Sequence, residues 1–248
     1  MDLIQALFLG LLQGVTEWLP ISSQGQVMVA ALSLFGVTAE EAFRHAITLH
    51  IGTLIAATVY FRKELVEIVL LKDKPLLKFF LTALIGSAIT AIPIYLVFKG
   101  VMGDTFLVML LVGAALILIG IIQFKKKIAQ GKENVGHGFL TGLAQGIAVI
   151  PGISRSGITT AVLLMEDFDP EQAFRLSFLL SIPSVFAAEV VFATIEGISF
   201  EPNMLIAIAV AAIVGYASID FLINIARKIN FSIFCIVFGL AYIALAFI

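Results

Sequence analysis

The sequence predicts an all-α polytopic membrane protein: an inverted-topology repeat of about six transmembrane helices plus two broken re-entrant helical hairpins. Three observations predict it. Of the 248 residues, 60% are hydrophobic and only 13% are charged, about half the charged share of soluble proteins, so no water-soluble globule could cover the apolar side chains. Runs without Asp, Glu, Lys or Arg recur along the chain, most approaching or reaching the roughly 20 residues a spanning helix needs. The first half of the chain also recurs in the second half with its membrane direction reversed. A net charge of −2 leaves no basic footprint, so nucleic acid is not an expected partner. Cys235 stands alone, which excludes an internal disulfide and a cysteine-ligated metal. His45, His50 and His137 show no metal-binding spacing.

From the amino terminus, Leu3–Ala39 is apolar but interrupted around Pro20, Ser22, Ser23 and Gly25. Its halves, roughly 10 to 17 residues, are too short to span and predict a re-entrant hairpin. Without a basic n-region and with Glu17 inside it, a cleaved signal peptide is not expected. Spans follow at His45–Phe61, Phe79–Phe98 and Thr105–Phe124. Asn134–Met165 is a second broken stretch, interrupted at Pro151-Gly-Ile-Ser-Arg-Ser-Gly157. The remaining spans are Leu176–Ile195, which carries Glu189, then Asn203–Ile219 and Ile229–Ile248. Arg62, Lys63, Lys72, Lys74, Lys78, Lys125, Lys126, Lys127, Lys132, Arg227 and Lys228 fall in three connecting segments, which the positive-inside rule places in the cytoplasm. The segments 99–104 and 196–202 carry one lysine against three acids and face outward. Every loop keeps its side only if 134–175 does not cross once.

A shift of about 131 residues lays Gly10–Gly25 over Gly142–Gly157, and Glu40–Ala57 over Glu171–Ala188, with 15 identities in 34 pairs. The shared Gln-Gly, Ile-Ser and Ala-Phe-Arg steps are not the cheap coincidences of Ala and Leu. The chain is therefore read as a single membrane domain, 1–248, holding repeats of approximately 1–124 and 134–248. The first copy of the shared span runs outside to inside and the second inside to outside. Inverted repeats of this kind place their site near the midplane, where the interrupted segments meet.

Glu17 is the only formal charge in Leu3–Ala39 and Arg155 the only one in Asn134–Met165. A charge near the bilayer centre costs on the order of 2.5–3.5 kcal/mol even on lenient scales, so each needs a partner, a ligand or water. The bland reading is that they pair to lock the halves. Their neighbours add more. Ser154, Ser156 and a following helix amino terminus supply donors, and Arg155 a planar fork, for phosphate oxygens. Ser22 and Ser23 are candidate nucleophiles, and Glu17 a candidate general base or metal ligand. Glu189 and His50 read as groups buried against neighbouring helices. On residues alone, phosphate chemistry stands beside an anion transporter or lipid-phosphate flippase of the same architecture, and beside a structural membrane scaffold.

The pair Gln13-Gly-Val-Thr-Glu-Trp-Leu-Pro-Ile-Ser-Ser-Gln-Gly25 and Pro151-Gly-Ile-Ser-Arg-Ser-Gly-Ile-Thr159 resembles the two signature motifs of the undecaprenyl-diphosphate phosphatase family of the bacitracin-resistance type. The likeness covers essentially the whole chain. It implies hydrolysis of a polyprenyl diphosphate to the monophosphate for lipid-carrier recycling in a cell membrane, at a site open to the outer face and using a divalent cation, Mg²⁺ or Ca²⁺. It further implies Glu17 as catalytic or metal-linked acid, Ser23 as nucleophile or phosphate contact, and Arg155 as diphosphate clamp. Gln13, Ser22, Gln26, Ser154, Ser156 and Thr159 would line the substrate. Membrane lipids are the expected surroundings, and a homodimer is compatible with the sequence. Two positions depart from the pattern: Gln13 stands where the family usually has Glu, removing one carboxylate from the implied cation site, and Gln26 stands where it has His, removing a titratable group. Attack by Ser23 and attack by a water held on Glu17 both fit the sequence.

Overall fold

The computed structural model describes residues 1–98, 131–150, 153–196, 201–226 and 231–247, together with residues 110, 113, 114, 117, 118, 120 and 121. Among the described residues there is no strand. The helices are α1 (Leu3–Thr16), α2 (Ser23–Phe35), α3 (Ala39–Tyr60), α4 (Arg62–Val69), α5 (Lys74–Phe98), α6 (Val135–Ile147), α7 (Arg155–Met165), α8 (Pro170–Glu196), α9 (Pro202–Ala226) and α10 (Phe231–Ala246). The chain is an all-α polytopic membrane protein, as its composition requires.

Helices α3, α5, α8 and α9 are each long and apolar enough to cross a membrane. Each covers one expected span, α3 all of it but Phe61, and begins before it; in α3, α5 and α8 the charges that bound the apolar run lie inside the helix rather than ahead of it. At α3 the Thr38 hydroxyl accepts the Glu41 N–H at 3.2 Å and the Glu41 carboxylate accepts the Thr38 N–H at 3.0 Å, a reciprocal cap that starts the helix at Ala39. Glu40 and Glu41 then lie at the positive end of the helix dipole. The expected span Thr105–Phe124 and the basic loop after it fall mostly outside the described residues. The last span appears as α10, 16 residues long.

The two interrupted stretches fold as helical hairpins, α1–α2 and α6–α7. Their arms have 14, 13, 13 and 11 residues, so the longest reaches about 21 Å, short of a hydrocarbon core of about 30 Å. Both return helices are capped alike. Ser22 Oγ accepts the Gly25 N–H at 3.3 Å and Ser154 Oγ accepts the Gly157 N–H at 3.1 Å. Ser22 does so with a φ of 59°, in the left-handed region that costs a non-glycine residue roughly 1–2 kcal/mol. Pro151 and Gly152, expected in the second interruption, lie outside the described residues.

The hairpins enter from opposite ends. The start of α1 lies beside the α8–α9 connection, where the Met1 amine is 3.6 Å from Glu201 and Asn203 donates to the Met1 carbonyl at 2.8 Å. The open end of α6–α7 lies at the other end of the bundle, where Gln172 donates to Glu133, Tyr60 donates to Asp220, and Arg175 pairs with Glu64. The tips meet in between. Each hairpin leans on a long helix of the opposite half. A Cβ on Gly10 would lie 2.5 Å from the Ala207 carbonyl oxygen of α9, and one on Gly142 would lie 2.1 Å from the Ala83 carbonyl oxygen of α5. Gly138, Gly142 and Gly146 repeat every fourth residue, one stripe along which α6 approaches α5 at backbone distance.

Trp18, directly after the site acid, is buried beneath the tip of the first hairpin. Its Nε1 donates to the Gly215 carbonyl at 3.0 Å and its ring lies 5.1 Å from that of Phe178. Phe61, Phe79, Phe174, Leu179, Leu180 and Ile219 complete this core. Leu9, Val27, Leu49, Met204 and Ile208 fill a second one. Ile92, Leu96, Val97, Phe186, Ile213 and Phe221 point outward, apolar surface suited to lipid.

The helix approach predicts that Gly142→Leu fails to give a monodisperse, cooperatively melting protein in detergent. By contrast Gly36→Asn, at φ 63° with nothing near its Cβ position, moves the melting temperature by no more than about 2 °C. Thermal unfolding followed by the fluorescence of Trp18, the single tryptophan, measures both. A wild-type melt for Gly142→Leu would refute the α5–α6 contact.

Candidate active site

The site forms where the tips of the two hairpins meet. Gln13 and Glu17 are four residues apart, hence on one face of α1, and the break after Thr16 leaves Glu17 at the end of the helix. The carboxylate is buried and engaged on both oxygens. Oε1 accepts from Arg155 Nη2 at 2.6 Å. Oε2 accepts from Ser23 Oγ at 2.6 Å and from Gln13 Nε2 at 2.9 Å, and His50 Nε2 stands 3.4 Å away. Arg155 is held from its other side as well, Nη1 donating to the Ser177 carbonyl of α8 at 3.0 Å. The carboxylate and guanidinium side chains are 6% and 15% exposed, so water does little to screen them and the pair has to balance itself.

The other residues singled out from the sequence divide into two groups. Gln13, Glu17, Ser23 and Arg155 come together. Ser22 caps α2 from one residue away. Ser154 and Ser156 do not face Glu17: their hydroxyls lie 3.1 Å apart and both reach the Leu19 carbonyl, Ser156 at 3.0 Å and Ser154 at 3.5 Å, so they tie the second tip to the first. Thr159 is fully buried against α8, bonded to the Arg155 carbonyl and the Ser177 hydroxyl. Gln26 donates to the Ile21 carbonyl at 3.3 Å and holds the turn.

Four residues of the spans join the site without belonging to either motif. Thr53 lies 3.4 Å from Gln13 Nε2, Ser177 holds Arg155 and Thr159, and His50 faces Glu17. The His50 ring is oriented by Nδ1, which donates to the Ala46 carbonyl at 2.7 Å. Glu189, on α8, is buried with one carboxylate oxygen lacking a hydrogen-bond partner. A signal for His50 and Glu189 exists in the sequence: a titratable residue in the middle of a spanning helix is costly and implies a polar neighbour.

Chemically, the cluster joins a hydroxyl, a carboxylate within proton-transfer distance of it, and a guanidinium fork, beside two helix amino termini, at Ser23 and Arg155, whose dipoles favour anions. The divalent cation expected at Glu17 does not fit these residues. Both Glu17 oxygens are taken by N–H and O–H donors, one from a fixed cation. Position 13 supplies an amide rather than an acid, and among the described residues no three His, Cys, Asp or Glu side chains gather in a metal-binding group. Mg²⁺ and Ca²⁺ call for a shell of oxygen acceptors.

A profile of the family described as bacitracin resistance protein BacA matches residues 6–241. Three relatives, each named undecaprenyl-diphosphatase, align almost end to end. That of Haloarcula marismortui is 38% identical over 96% of this chain and 94% of its own length. That of Methanothrix thermoacetophila is 36% identical, covering 99% and 97%, and that of Sulfurisphaera tokodaii 31% identical, covering 99% and 97%. With both hairpin tips and, among the described residues, the four helices long and apolar enough to span a membrane inside the matched region, the chain belongs to the BacA family of bacitracin resistance proteins.

Proposed function

We propose that this chain is a membrane-embedded phosphatase that hydrolyses a polyprenyl diphosphate, undecaprenyl diphosphate or a related carrier, to the monophosphate and phosphate, returning the lipid carrier for reuse. The relatives' shared activity name and the family match support it. The observation that carries it is the continuous line from Ser23 through Glu17 to Arg155, with 2.6 Å at both steps. In a pure flippase or anion carrier that hydroxyl would have no bond to form to phosphorus.

In this reading the terminal phosphate of the substrate draws the Arg155 fork, and the helix amino termini share its charge as it shifts in the transition state. Release of Arg155 frees Glu17 to act as base. Ser23 Oγ attacks the terminal phosphorus, its proton passes to Glu17, and the bond to the bridging oxygen breaks to leave the prenyl monophosphate. Glu17 passes that proton to the departing monophosphate and then takes one from the water that attacks the phosphoserine; the bond from phosphorus to Ser23 Oγ breaks, Oγ takes the proton back from Glu17, and phosphate leaves. Ser22, Ser154, Ser156, Thr159 and Gln26 hold the two tips in register for this exchange.

The matching serine caps and the entry of the hairpins from opposite ends support reading the halves as inverted copies of one ancestral unit. The basic residues between α3 and α5 lie at the end where α6 and α7 open, and the acidic Glu201 at the end where α1 starts. By the positive-inside rule the latter is the outer side, from which the substrate's head group would enter.

Ser23→Ala removes only a hydroxyl and is expected to lower phosphate release from a prenyl diphosphate in detergent by about 100-fold or more while leaving the melting temperature close to wild type. Substantial remaining activity would move the attack to water. Glu17→Gln strands Arg155 and is expected to cost about 3–5 kcal/mol of stability as well as activity. The double variant Glu17→Gln with Arg155→Met, with no charge left to strand, should melt above that single variant and stay inactive, and a thermal melt paired with the phosphate assay reads both.

A further inference from the structure

We infer that this chain releases phosphate without a bound divalent cation, because the Gln13 amide occupies the place beside Glu17 where a second acid would need one. The inference rests on the phosphatase reading above.

Glutamine and glutamate have the same shape, so the geometry at position 13 can be read for both. Gln13 Nε2 donates to Glu17 Oε2 at 2.9 Å. Charge complementarity sets this orientation, since the amide oxygen turned the same way would face a carboxylate. A glutamate in this rotamer would bring two carboxylate oxygens to the same separation in a site almost closed to water, Gln13 being 0% and Glu17 7% exposed. Two carboxylates sharing such a site repel, and the repulsion is relieved only by a proton or by a cation between them. With glutamine the N–H supplies the positive end itself.

The remaining donors point the same way. Glu17 Oε1 is held by Arg155 at 2.6 Å, a permanent cation that would repel a metal placed beside it. Oε2 carries the Ser23 hydroxyl as well as the amide. With Arg155 drawn to the phosphate, Oε2 still carries both donors, and a cation at Oε1 would have to compete with the guanidinium for the same phosphate oxygens. Gln13 Oε1, buried and without a hydrogen-bond partner, offers a single neutral oxygen. The charge that a metal would bring to the phosphate is already present in the planar fork of Arg155, suited to bidentate contact with phosphate oxygens.

The test uses the full-length protein in detergent, stripped with EDTA, with farnesyl diphosphate as the probe substrate. The expected result is phosphate release in EDTA within about twofold of the rate in Mg²⁺ or Ca²⁺, and a cation requirement of about tenfold or more in Gln13→Glu. A second readout needs no turnover. Trp18 adjoins Glu17 and is the single tryptophan, so Tb³⁺ bound at the site would show emission sensitised through it. The wild type should show no saturable, Ca²⁺-displaceable signal and Gln13→Glu should show one, with the variant's melt confirming that it folds. Wild-type release that collapses in EDTA and returns with Mg²⁺, or saturable Tb³⁺ emission from the wild type, would overturn the inference and leave the phosphatase reading standing. A folded Gln13→Glu protein with neither gain would overturn the role of position 13. No release by the wild type under any condition would bring down the phosphatase reading and the inference together.

Discussion

One ion pair organises this molecule. Glu17 and Arg155 are 138 residues apart in sequence and 2.6 Å apart in space, each at the tip of a hairpin too short to cross the membrane alone. Neither charge is affordable in an apolar interior without the other. The pair therefore requires both interruptions, both hairpins and the helices behind them. Gly10 against α9 and Gly142 against α5 bring the arms to backbone distance, and Ser156 on the Leu19 carbonyl sets how closely the tips approach. The serine that does chemistry in the proposed reaction sits on the same carboxylate, so the geometry that closes the fold also positions the nucleophile.

Much of this was legible in the residues. Composition alone demands a bilayer, and the long apolar runs, uncharged but for Glu189 in α8, mark α3, α5, α8 and α9. The scarcity of charge singles out Glu17 and Arg155, which a soluble sequence would have hidden among many others. What the sequence concealed has physical reasons. Helix ends depend on caps rather than on apolar runs, so Thr38 with Glu41 starts α3 well before its uncharged stretch. The roles of the motif serines depend on tertiary direction: Ser154 and Ser156 have the composition of a phosphate site, yet both reach back to the Leu19 carbonyl. Thr53 and Ser177 come from spans whose local sequence is ordinary, and only the packing of α3 and α8 around the tips delivers them.

The crosswise docking also bears on motion. In an alternating-access carrier one bundle rocks against the other about a central site. Here each hairpin is packed onto the opposite half at glycine-backbone contact, Trp18 is bonded to the Gly215 carbonyl of α9, and Ser218 of α9 is bonded to the Gly14 carbonyl of α1. A rocking movement would have to break these contacts and the ion pair together. A fixed scaffold in which only Arg155 changes partner suits a reaction that needs orientation more than travel.

The same separation of partners bears on how the protein is made. Synthesis delivers Glu17 to the membrane long before Arg155 exists, and α9, on which the first hairpin rests, follows later still. Until then the first hairpin carries an acid without its cation, and Gly10 has no helix to meet. The hairpin's arms are too short to span the hydrocarbon alone, so its seat depends on helices made later. The carboxylate at the centre of the finished protein therefore meets its charged partner only once more than half of the chain has been made.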